Sequence, residues 1–134
     1  MGAVRVKVRL TNGSDEMLVR TGQLKPEDIR RYEGEALVDT GSVETIIPLA
    51  VMKQLGLPPS GRVSVKYADS EIVDKAAPLT VHIFDRDTTG EAFVLGDEIL
   101  IGQTILESMD LHVDCHNQRL IPNPKYPDHP TFRV

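Results

Sequence analysis

The stretch Ala36-Leu37-Val38-Asp39-Thr40-Gly41-Ser42 decides how this chain is read. An aliphatic strand runs into an acid, and two hydroxyl residues around a glycine follow it. A carboxylate left unpartnered at the end of a buried strand is costly, or is forced to keep a proton. Gly41 removes the Cβ that would block a close backbone approach. Thr40 and Ser42 supply short hydroxyls able to donate to a carboxylate, which favours its ionised form. The loop reads as a device that holds one acid rigidly while something approaches it. The plainer alternative is an Asp that caps a turn or the following helix, where Asp and Ser are common.

The flanking sequence favours the first reading. Thr45-Ile46-Ile47-Pro48 leads into residues 49–57, with Pro48 suited to a first helical position and Gly56 to one just past a helix end. Ile47, Val51 and Leu55 share one face, which predicts a short amphipathic helix. Glu98-Ile99-Leu100-Ile101-Gly102-Gln103-Thr104-Ile105-Leu106 reads as an apolar strand, a glycine and a short helix. Glu44 is expected to be a charge at the N-terminus of the first of these helices.

These two stretches, in this order, resemble the retropepsin-like aspartic proteases, in particular their stand-alone bacterial members. That family carries an apolar run, Asp-Thr-Gly, Ala or Ser, and then a Thr before an apolar pair; positions 37–47 match it. Its second signature, two apolar residues and a Gly before the C-terminal helix, matches Leu100-Ile101-Gly102. The resemblance implies an all-β fold: a small closed β-barrel of the retropepsin type with one or two short helices, homodimeric. It also implies an aspartic endopeptidase, a hydrolase of polypeptide substrates that needs neither metal nor cofactor.

Hydrolysis of an amide by general acid–base chemistry needs one group to take a proton and another to give one. The chain holds a single Asp-Thr-Gly, since Asp87-Thr88-Thr89-Gly90 carries an extra residue. The second acid is therefore expected from the Asp39 of a second copy. By the resemblance, Thr40 hydrogen-bonds across the dimer axis and Gly41 lets its amide approach the carboxylates. Ser42 stands where many retroviral members have Ala. Its extra hydroxyl is expected to stabilise the ionised pair, favouring activity at acidic pH. Tyr67-Ala68-Asp69 resembles the family's flap, with Ser70 where many members have Gly. Tyr67 and Ile72 are the candidates for lining substrate subsites. Two other classes remain beside the enzyme. One is a non-catalytic homodimeric peptide-binding or assembly module; the other is a monomeric barrel in which Asp39 is structural.

The remaining sequence fits a small barrel. Val4-Arg5-Val6-Lys7-Val8-Arg9-Leu10 alternates as a half-buried strand does. Asn12-Gly13 is a hairpin signal, with Met17-Leu18-Val19 as the returning strand. Residues 24–32 read as a short helix or a surface connection, and Arg30-Arg31 as a solvated face. Residues 63–67 and 71–73 flank a turn at Ala68-Asp69-Ser70, a hairpin whose tip overlies the site. Residues 79–84 and 92–95 flank a turn from Asp85 to Gly90. Asp110, His112, Asp114 and His116 alternate with Leu111, Val113 and Cys115, as an ordinary amphipathic strand does rather than a zinc site. Cys115 is expected to be a buried thiol.

At 134 residues the chain suits one domain, residues 1–122, with a Pro-rich tail at 123–134 as the flexible piece. The prolines of that tail argue against a dimer built by interleaving chain ends. Fifteen basic against 20 acidic residues, net charge -5, and no Trp disfavour a nucleic-acid surface. No apolar run reaches the ~18 residues of a membrane span, and Met1 to Arg5 lacks a signal-peptide core. With one cysteine no internal disulfide forms, so a reducing, cytoplasmic setting is expected.

Overall fold

The computed structural model describes residues 3–66 and 70–134, with only the backbone at Ser70. Strand β1 (Val4–Asn12) pairs antiparallel with β2 (Arg31–Val38), from Val4 opposite Val38 to Thr11 opposite Arg31. Three residues, Thr45–Ile47, form β3, and α2 (Leu49–Leu55) follows it. A ribbon of β4 (Pro59–Lys66) and β5 (Ser70–Ile83) comes next, then β6 (Arg86–Val94) and β7 (Ile99–Ile101). The far half of β1 also pairs with β5, from Arg9 opposite His82 to Asn12 opposite Leu79. That second pairing closes the order β1-β2-β7-β3-β6-β5 into a six-stranded barrel, and β4 hangs on β5 outside the ring. Closure leaves the ring without an unpaired edge. Leu10, Ile47, Val81 and Ile101 fill it and are fully buried, each side chain stabilising the fold by roughly 1.5–3 kcal/mol.

Helix α2 ends where its glycine predicts and begins one residue later than its proline predicts, because Pro48 stays extended instead of taking the first helical position. Pro48 is its N-cap, and Gly56 ends it at φ 64°, a left-handed conformation that glycine adopts without strain. Val51, Met52 and Leu55 face the core, whereas Ile47 lies on β3. Glu44 precedes β3 and is no part of the helix start. A third helix, α3 (Gln103–Ser108), follows Gly102 and leads to β8 (Leu111–Asp114) and β9 (Arg119–Pro122), a separate two-stranded sheet. No helix among the described residues is long and apolar enough to cross a membrane.

Four local expectations are corrected. Asn12-Gly13 opens helix α1 (Gly13–Arg20), not a hairpin. Asn12 is 2% exposed; its Oδ1 accepts from the Asp15 amide at 3.1 Å and its Nδ2 donates to the Leu55 carbonyl at 2.9 Å. Asn serves equally well as a turn residue and as a helix N-cap, and this buried pair of bonds selects the cap. The chain turns at Phe84-Asp85, not over 85–90, so Asp87 to Gly90 run along β6. Cys115 is exposed, because β8 stops at Asp114 and the thiol sits in the β8–β9 turn. Arg30 is not merely a solvated charge; it makes a bidentate pair with the buried Asp15 through Nε and Nη2, both at 2.9 Å.

Asp15 also accepts from the Arg30 amide at 3.0 Å. The side-chain bonds from Arg30 hold its carboxyl below the usual carboxylate value, although burial pushes the other way. A carboxyl depressed by folding adds stability above its unfolded pKa of about 4, and this contribution is lost as pH falls through the lower folded value. Arg30 is half-exposed, which screens the pair. Asp15→Asn is expected to cost about 2 kcal/mol near neutral pH and to flatten part of the acid limb of a pH-dependent denaturation series.

Candidate active site

Asp39 directly follows β2. Beside β2 runs β7, parallel to it, with Val38 opposite Ile101. The Asp39 amide extends that ladder by one step, donating to the Ile101 carbonyl at 3.0 Å. The carboxylate is half-buried in the single chain, less enclosed than the aliphatic run before it suggests. Its Oδ1 accepts from the Gly41 amide at 2.9 Å, and the Ser42 amide donates to the Asp39 carbonyl at 3.2 Å. A Cβ on Gly41 would lie 3.1 Å from Asp39 Oδ1, so the absent side chain lets the amide close on the acid. Thr40 and Gly41 are exposed on the same loop.

The other half of the loop is bound to the start of α3. The amides of Gln103 and Thr104 donate to the carbonyls of Ser42 and Val43 at 2.7 and 3.1 Å. The Gly102 amide donates to Thr45 Oγ1 at 3.2 Å, and Thr45 is 1% exposed. These bonds use helix-start donors that otherwise lack intrahelical partners. The two signature stretches therefore form one unit. A Cβ on Gly102 would run into the Glu44 carbonyl and lie 2.9 Å from the Ser42 carbonyl oxygen. Gly102→Ala is therefore expected to displace the loop that carries Asp39. If the chain is catalytic, kcat should fall by about 10²-fold with little change in melting cooperativity, since misplacement by ~1 Å costs that much.

Ser42 departs from expectation. Its hydroxyl donates to the Glu44 carbonyl at 2.8 Å, stiffening the loop rather than donating to Asp39. A backbone carbonyl two residues on is within reach of a short hydroxyl, a local bond that Ser commonly makes.

The Asp39 carboxylate opens on a cleft of about 440 Å³. Ile46, Val65, Phe93, Leu95 and Leu100 give it an apolar lining, with Glu44 and Lys66 also bordering it. Val65 and Lys66 bring the β4–β5 ribbon to the cleft. Tyr67, Ala68 and Asp69 lie outside the described residues, as does the Ser70 side chain. Ile72 is placed elsewhere. It lies opposite Ser64, one step out of phase with Val65, and is 72% exposed. With Leu49 and Arg62 it lines a second hollow, not the one at Asp39. The alternation of the ribbon, read from Val63 and Val65, is the signal that identifies Val65 rather than Ile72 as the cleft residue. Phe93, Leu95 and Leu100 carry no such local signal, because pairing between distant strands brings them to the cleft.

Compared with models of protein families and with curated proteins, the chain matches none.

Proposed function

We propose that this chain is an aspartic endopeptidase of the retropepsin-like type, active as a symmetric homodimer. The observation that carries the reading is one carboxylate, held by the Gly41 amide, on a braced loop at an apolar cleft beside a β-ribbon. One such acid is half of an acid–base pair. A two-fold axis placed beside Thr40 and Gly41 would supply the other half from the same residue of a second copy.

Two carboxylates a few ångströms apart do not both ionise cheaply, so the pair shares one proton. The ionised member takes a proton from water as the water attacks the scissile carbonyl. The protonated member donates to the carbonyl oxygen, and the proton gained from water is passed to the leaving amine. The Gly41 amide holds Asp39 Oδ1 in place. The substrate lies extended along the cleft, its backbone pairing with the β4–β5 ribbon and its apolar side chains against Ile46, Val65 and Leu100. The test is Asp39-dependent cleavage of denatured polypeptide, joined to loss of specific activity on dilution into the monomer range. A chain that sediments as a monomer at every concentration and cleaves nothing returns Asp39 to a structural role. A dimer that binds peptide without cleaving it is the non-catalytic module.

A further inference from the structure

We infer that Lys66 is a specificity-determining residue of this cleft, selecting substrates with an acidic side chain within about three residues of the scissile bond; the inference rests on the endopeptidase reading above. Among the described residues that line the cleft, Lys66 is the cation, and the acids are Asp39 and Glu44. Asp39 is engaged by the reaction, and half-buried Glu44 also borders a neighbouring hollow under α3. Lys66 is exposed and ends β4, where the ribbon meets the cleft and an extended peptide would lie alongside it.

An exposed lysine is ordinarily a solvated surface charge, and a pair made there in water is worth little. Two features set Lys66 apart. Ile46, Val65, Phe93, Leu95 and Leu100 line the same cleft, so a peptide packed on them displaces water and raises the effective strength of a nearby ion pair. The chain as a whole carries net charge -5 and repels acidic peptides at long range. Salt screens that repulsion beyond about 8 Å, so an acidic side chain seated beside Lys66 is attracted by it at contact, whereas one seated beside Asp39 or Glu44 is repelled. A lysine is a point charge on a flexible stem, and it accepts a carboxylate from more than one substrate position. The selected class is therefore a polypeptide with apolar residues at the cleaved bond and Asp or Glu close by.

The experiment uses peptides sharing one apolar cleavage site and differing only by Glu, Gln or Lys at each flanking position. Wild type is expected to favour Glu over Lys by about tenfold in kcat/KM at one or more positions. Lys66→Gln should flatten that ratio to within about twofold, and Lys66→Glu should reverse it. Raising the salt should narrow the wild-type ratio. The same order of preference in Lys66→Glu as in wild type, with cleavage still dependent on Asp39, overturns the inference and leaves the peptidase reading standing. No Asp39-dependent cleavage of any peptide overturns that reading, and the inference with it.

Discussion

On the proposed endopeptidase reading, Asp39→Asn is expected to remove peptide hydrolysis by at least about 10³-fold while leaving the fold and the proposed dimer intact. Asn keeps the shape of the side chain and its acceptor for the Gly41 amide, so the loop loses no contact that the structure shows. What it loses is the ability to take a proton from water. The variant also tests whether two copies act together. Mixed in equal amounts with wild type and allowed to exchange subunits, it should leave about a quarter of the activity, because only dimers with two acids turn over. Half the activity would mean that each chain works alone. Full activity in the pure variant would mean that another group, or a contaminant, performs the cleavage.

Arg86→Met is expected to destabilise the protein by about 4 kcal/mol and to expose the segment from Asn123 to proteases. Arg86 is 3% exposed, and its guanidinium reaches four carbonyls. Nη1 donates to Met109 and Asp110, both at 2.9 Å, and Nη2 to Tyr126 at 3.0 Å and Pro127 at 3.4 Å. Nε finds no partner among the described residues, so removing that donor returns a little of the loss. Asp110 completes the fastening, accepting from Asn123 Nδ2 at 3.0 Å and the Thr131 amide at 3.1 Å. Burial pushes its carboxyl up, but these hydrogen bonds and the Arg86 charge outweigh that and hold it low. Arg86→Lys should rescue little, since one ammonium cannot span four acceptors set by a planar fork. A thermal melt within about 3 °C of wild type would show that the tail is not held through this residue.

Much of the site was legible in the sequence because its devices are local. Asp-Thr-Gly at a strand end, the proline and glycine that bound α2, and the glycine before α3 each act within a few residues. So was the closed all-β character, through the alternation of β1 and the short apolar runs. What escaped was decided by partners far along the chain. Asn12 becomes a helix cap because Leu55, 43 residues away, offers it a carbonyl. Arg86 sits in a polar run that reads as a turn, yet its acceptors lie 23 to 41 residues ahead. Arg30 looked like surface until Asp15 was brought beneath it. Ser42 belongs to the loop as its position predicts, but its hydroxyl turns to the Glu44 carbonyl. The backbone path of residues 42–45 brings that carbonyl within reach.

The pairing of β1 with β2 along their lengths has a consequence for how this protein is handled. Val4 lies opposite Val38, the residue before Asp39. The described chain therefore begins, at Ala3, beside the end of the strand that carries Asp39. An affinity tag or fusion partner joined at that end would extend from the strand beside Asp39, whereas one placed after Val134 would join a segment fastened through Arg86 and Asp110.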